Sequence, residues 1–142
     1  MRIAEVLAGK GNAVISVPPT ASVTELVDAL VTHRVGAVVV ADGQLMVGIV
    51  SERDVVLALH AHGPQVLSRP VAEIMTAPVF TCSPEDALEA VSITMTDKRV
   101  RHLPVVQDGD LVGIVSIGDV VKSHIAELEH DRAQLTAYIS QG

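Results

Sequence analysis

The chain has 142 residues, a formal net charge of −7 and a single cysteine. That acidity argues against a nucleic-acid partner or an anionic membrane surface, since either needs a basic face, and one cysteine excludes an intramolecular disulfide, as suits a reducing compartment. Hydrophobic residues make up 49% and aromatic residues 1%, so the core must be built from Val, Leu, Ile, Ala and Met.

The opening MRIAEVLAGKG lacks the continuous apolar run of a secretory leader. The longest apolar run, VGAVVVA at 35–41, is far too short to cross a bilayer. The expectation is a soluble, cytoplasmic protein with no membrane partner. A short strand over VISV (14–17) leads into SVTELVDALVTHRV (22–35), whose apolar positions 23, 26, 27, 30 and 31 form a helical stripe. Ser22 is read as its N-cap, with Glu25 three later as the capping-box partner. Strands follow at AVVVA (37–41) and LMVGIV (45–50), joined by a turn at Asp42-Gly43, and a second helix starts at Ser51. HGPQVLSRPV (62–71), with two prolines and a glycine, reads as a linker, and VAEIMT (71–76) as a short helix leading onward.

The same order then returns. A strand over VFTC (79–82) precedes a helix over SPEDALEAVSITMTDKRV (83–100), with Ser83 before a proline at the first helical position. Strands at LPVV (103–106) and LVGIV (111–115) flank a turn at Asp108-Gly109, and a further helix starts at Ser116. Cys82, with no His/Asn pattern around it, reads as a small buried hydrophobe beside a turn. After Asp119 one long helix is expected to about Ser140, with Val121, Ile125, Leu128, Leu135 and Ile139 on a heptad-like stripe and Arg132 filling the gap. That stripe either packs on its own domain or makes a dimer contact.

The return is a repeat at the level of residues. From Gly48 to Gly113 is 65 positions, and with that offset 16–56 lies on 81–121 without a gap. Pro19 falls on Pro84, Arg34 on Arg99 and Val35 on Val100; VGIVS at 47–51 falls on VGIVS at 112–116, and DVV at 54–56 on DVV at 119–121. Each copy is read as β-α-β-β-α, which is too small to bury both helices and a sheet alone. The expected fold class is therefore α/β (α+β): two repeats paired about a pseudo-twofold axis, with a C-terminal helix. The expected boundaries are 6–62 for the first repeat, 63–72 for the linker, 73–125 for the second repeat and 126–140 for the helical extension.

Both copies contain the frame G-I-V-S-x-x-D. Helix capping alone explains a Ser followed three places later by an Asp. A ligand explains it too. A helix N-terminus attracts phosphate, a carboxylate can accept from two ribose hydroxyls, and Gly48 and Gly113, lacking Cβ, would let a ligand approach the backbone. Cations lie close by: Arg34 and Arg53 in copy one, and in copy two Lys98, Arg99, Arg101 and His102 just before the strand, with Lys122 after the frame. His33, His60, His62, His124 and His130 are scattered, and His60 with His62 is a weak metal signal without a third ligand. No His recurs in both copies as a general base, so an enzyme is not expected.

The two G-I-V-S-x-x-D frames, RHLPVV (101–106) and VAEIMTAPVFTCSPEDALEAV (71–91) together resemble the cystathionine β-synthase (CBS) domain, present as a tandem pair over about residues 6–125. The resemblance implies a regulatory module that binds an adenine nucleotide such as AMP, ADP, ATP or NAD, or S-adenosylmethionine, in clefts between the copies, and that associates as a homodimer and signals to a partner protein. Carried onto this sequence, Asp54 and Asp119 would hold ribose, and Ser51, Ser116, Arg53, Arg101 and His102 would lie at ribose or phosphate. Ile15, Val17, Val35, Ala37, Val79, Phe80, Thr81 and Val100 would line the adenine. A dimerising module that binds no ligand is the competing expectation.

Overall fold

The computed structural model describes residues 1–141. In chain order the elements are α1 (Ile3–Lys10), β1 (Ser16–Val17), α2 (Val23–His33), β2 (Ala37–Asp42), β3 (Leu45–Ser51), α3 (Glu52–His62), α4 (Leu88–Lys98), β4 (His102–Gln107), β5 (Asp110–Ser116) and α5 (Ile117–Gln141). Single 3-10 turns stand at Pro64–Ser68 and Val71–Glu73. The chain divides into two compact units, one of residues Ala13–Phe80 and one that joins Met1–Asn12 to the stretch from Thr81 onward.

In the unit of residues 13–80, β2 and β3 form an antiparallel hairpin, and β1 adds in parallel with Ser16 opposite Val39. Its core is Ala21, Val23, Leu26, Leu30, Val38, Val40, Val50, Val55 and Val71. In the other unit β4 and β5 form the matching hairpin over Ile3, Val6, Leu7, Cys82, Leu88, Val91, Met95, Leu103, Val105, Val115 and Val120. Seven of these pairs obey the 65-residue offset, from Val23 with Leu88 to Val55 with Val120. Each fully buried Val or Leu contributes roughly 1.5–3 kcal/mol, so the repeated apolar stripe sets where each helix sits on its sheet.

The segments that precede the two copies show a second repeat. Ile3, Val6 and Leu7 of IAEVL match Val71, Ile74 and Met75 of VAEIM at an offset of 68. The segment preceding copy one thus packs on copy two, and the segment preceding copy two packs on copy one. The backbone follows suit: the Met1 carbonyl accepts from Leu88 N at 2.9 Å and the Arg69 carbonyl from Val23 N at 2.9 Å. VAEIMT, read from the sequence as a short helix over 71–76, is one 3-10 turn over Val71–Glu73 and an extended tail, with Thr76 bridged to Ile49.

Other differences from the sequence expectations have local causes. Ser22 makes its capping box with Glu25, but the corresponding position in copy two is Ala87, so α4 starts without a side-chain cap. Ser83 instead closes a turn before α4, its N–H donating to Asp86 Oδ2 at 2.8 Å. The strand at 79–82 shrinks to one bridge, Cys82 with Val105. In copy one Val39 N donates to the Ile15 carbonyl at 3.1 Å; the corresponding residue in copy two is Pro104, which has no N–H to give. The two Asp-Gly pairs are not equivalent either. Asp108 and Gly109 form the β4–β5 loop, both with positive φ, whereas the β2–β3 loop is Gly43-Gln44 with positive φ at Gly43 alone.

The repeated arginines have a fold role. Arg34 and Arg99 end α2 and α4 in the left-handed region, at φ 53 and 56. Val35 N then reaches back to Leu30 O at 3.2 Å and Val100 N to Met95 O at 3.1 Å, the closing bond of a Schellman turn. α5 runs on well beyond copy two. Val121, Ile125, Leu128, Leu135 and Ile139 are 49–68% exposed, so the stripe does not pack on its own domain.

Candidate functional site

The site residues sit where each hairpin turns into a helix. Register places Ala37 opposite Ser51 and His102 opposite Ser116. A further bond ties each strand start to the helix: Glu52 N donates to the Gly36 carbonyl at 3.0 Å, and Ile117 N to the Arg101 carbonyl at 2.8 Å. Arg101, His102, Ser116 and Asp119 are thereby gathered at one end of copy two, and Gly36, Ala37, Ser51, Arg53 and Asp54 at the same end of copy one.

Both Ser/Asp pairs are capping boxes. Ser51 N donates to Asp54 Oδ2 at 2.8 Å and Asp54 N to Ser51 Oγ at 3.2 Å; in copy two the same two bonds are 2.8 and 3.2 Å. In copy one the Ser51 hydroxyl also donates to Asp54 Oδ2, at 3.1 Å. In copy two Lys10, the last residue of α1, donates to Asp119 Oδ2 at 2.5 Å and to the Ile114 carbonyl at 2.7 Å. These bonds enter on Oδ2, so capping leaves the other carboxylate oxygen unused. Partial burial pushes the Asp119 carboxyl up, but the bond from Lys10, those from the Ser116 backbone and hydroxyl, and the Lys10 charge outweigh it and hold the carboxyl below its ordinary value.

The expected ligand-facing glycines serve packing. A Cβ on Gly113 would stand 2.8 Å from Leu7 Cδ2, and one on Gly48 would be 2.9 Å from Met75 Cγ. The space they leave is filled by the segments that precede the opposite copies, so no ligand need be invoked to explain either glycine. Of the expected adenine-lining residues, Ile15, Val17 and Val35 pack against the copy-one core and Val100 against the copy-two core. Ala37 is buried, Val79 half-buried, and Phe80 and Thr81 exposed. Val35 and Gly36 line a shallow depression of about 380 Å³ with Leu30, Val31, Arg34 and Glu52, beside the start of α3. Arg53 and Arg101 are exposed and His102 half-buried.

Burial, and secondarily the Asp86 charge, push the Cys82 thiol up to about 12, so it is a core residue without thiolate character. Among the described residues no three His, Cys, Asp or Glu side chains converge as a metal site, and no helix is long and apolar enough to cross a membrane. Lys10 is the site residue that motif reading missed. It lies in no repeated frame, and only the offset of 68 that matches α1 to VAEIMT would have pointed to the helix carrying it.

The CBS domain family model matches residues 11–61 and 71–125. A mitochondrial CBS domain-containing protein of Arabidopsis thaliana is 36% identical over 126 residues, 85% of this chain but 61% of that relative, so the match spans less than two thirds of its length. A solved CBS-domain containing protein from Agrobacterium tumefaciens is similar with a TM-score of 0.86 and 38% identity, covering 87% of this chain and 99% of its own. A CBS domain protein from Pyrobaculum aerophilum, complexed with AMP, is similar with a TM-score of 0.74 and 31% identity, covering 84% of this chain and 89% of its own. With both repeats matched and the fold shared, the chain belongs to the CBS domain family as a tandem pair of repeats.

Proposed function

We propose that this chain is a non-catalytic sensor that binds an adenosine compound, AMP, ADP, ATP or NAD, at the helix starts of Ser51 and Ser116. In this reading Asp54 and Asp119 accept from ribose hydroxyls through the oxygen the cap leaves unused. Ser51, Ser116, Arg53, Arg101 and His102 meet ribose or phosphate, and Ile15, Val17, Val35, Ala37, Val79, Phe80, Thr81 and Val100 surround the base. The observation that carries it is the duplicated capping box set against a strand start, in a fold whose Pyrobaculum relative holds AMP. Occupancy would shift the population of two conformations, which a partner protein reads. A cytoplasmic setting fits the lone, inert thiol.

The test is thermal unfolding with AMP, ADP, ATP, NAD and S-adenosylmethionine near millimolar. A ligand at a hundred times its Kd adds about 2.7 kcal/mol, and Asp54→Ala or Asp119→Ala should lose that gain. If no compound raises the wild-type midpoint, the sensor reading is wrong. The competing reading, a dimerising module without ligand, has its own support in the exposed heptad stripe of α5. Self-association belongs to both readings: Ile125→Glu with Leu128→Glu should convert a dimer to a monomer in sedimentation. Only the sensor reading requires a nucleotide-dependent shift.

A further inference from the structure

The helix start at Ser116 carries a cation that the start at Ser51 lacks. Lys10 Nζ engages Asp119 Oδ2 and the Ile114 carbonyl, which uses two of its three ammonium protons and leaves one for another acceptor. Around Ser51 the first turn of α3 holds Glu52 and Asp54, and among the described residues no salt bridge reaches either. Around Ser116 the corresponding residues are Ile117 and Asp119, so one carboxylate is absent and the other is paired. Arg101 stands where copy one has Gly36, and Gly118 where copy one has Arg53. Copy one therefore sets one arginine against two carboxylates, and copy two sets Lys10 and Arg101 against one. The C-cap arginines Arg34 and Arg99 are common to both and cancel.

A lone carboxylate that accepts from ribose repels the phosphate attached to the same sugar. Pairing with an ammonium removes that repulsion without occupying both carboxylate oxygens, and the third ammonium proton can be given to a phosphate oxygen as a charge-assisted bond. We propose that Lys10 is the specificity-determining residue of the copy-two site, selecting adenosine compounds that carry phosphate over the uncharged nucleoside. The inference rests on the ligand-binding reading above. It adds a residue from outside the repeated frames and assigns the two sites different ligand charge.

The test is isothermal titration of Asp54→Ala protein, which retains the copy-two site, with AMP and with adenosine, before and after Lys10→Met and Lys10→Arg. Lys10→Met is expected to weaken AMP about tenfold, the size of one partly exposed charge-assisted bond. Adenosine should stay within about twofold, and Lys10→Arg should restore most of the AMP affinity. Equal losses for both ligands would show that Lys10 merely holds Asp119, and tighter AMP binding would show that it competes with ligand; either overturns the proposal. So does AMP binding that Lys10→Met leaves unchanged, with the sensor reading intact. If wild type binds no adenosine compound, the sensor reading fails and this inference with it. Should Asp54→Ala fail to fold, Asp54→Asn keeps an acceptor for the cap and takes its place.

Discussion

At Ser51 and at Ser116 the backbone does the same thing, yet the side chains around it differ. Each strand ends in a serine that caps a helix, each Asp answers three residues on, and the reciprocal bonds are 2.8 and 3.2 Å in both copies. Copy one completes its box from within, through the Ser51 hydroxyl, and copy two draws on Lys10, more than a hundred residues earlier in the chain. The capping box is local and was inherited with the repeat. The charge around it came from helix α1, whose place on copy two no local rule specifies. Duplication thus preserved the frame and left each site free to take its own electrostatics.

The largest effects that would sharpen this comparison lie in the cores. Leu88→Ala should cost about 3 kcal/mol in urea unfolding and Val23→Ala, its counterpart in copy one, about 2 kcal/mol, since the longer side chain leaves the larger cavity. Equal costs would mean that the two cores relax differently around a loss. Next come the glycines. Gly113→Val should destabilise by about 1–3 kcal/mol through overlap with Leu7. Adding Leu7→Ala to it should cost less than the two separate losses combined, a coupling that a double-mutant cycle would read.

Caps come next in size. Ser22→Ala should cost about 1 kcal/mol, and the reverse change, Ala87→Ser, should add roughly 0.5–1 kcal/mol by giving α4 the cap that α2 already has. No gain from Ala87→Ser would show that the Met1 carbonyl and Arg2 bridge already fix that helix start. The smallest effect is electrostatic. The Asp119 carboxyl is held below its ordinary value of 3.8. A depressed folded value contributes stability that is complete above the ordinary value and is lost as pH falls through the folded one. Lys10→Met should therefore lower stability by less than about 1 kcal/mol at pH 6, and its stability should fall less steeply than wild type as pH drops below about 4. Parallel acid limbs would remove Lys10 as a cause of the shift.

The repeat was legible because apolar spacing and turn chemistry are local, and the gap-free match of 16–56 with 81–121 at an offset of 65 preserves both. The β-α-β-β-α order of copy one, the α-β-β-α part of it in copy two, the Ser22 box and the helix starts at Ser51 and Ser116 follow from that reading, and the structure has each of them, while the first strand of copy two is one bridge only. Ser83 misled because a Ser-Pro with following acids satisfies the rules for a helix start; the true equivalent of Ser22 is Ala87, which carries no capping signal. Pro104 shortened a strand through a missing N–H on the neighbouring strand, a cost borne by residues other than the proline itself.

The sequence by itself determined what each copy would become, because helix stripes, hairpin turns and capping pairs are decided within a few residues along the chain. It also determined which side chains recur and hence which carboxylates belong to the frame. Tertiary structure alone decided that α1 serves copy two and VAEIMT serves copy one, since apolar segments of equal length and pattern suit either sheet. It filled the space beside Gly48 and Gly113 with Met75 and Leu7. It also brought Lys10 to Asp119, because an ion pair depends on distance through space, which position along the chain does not reveal.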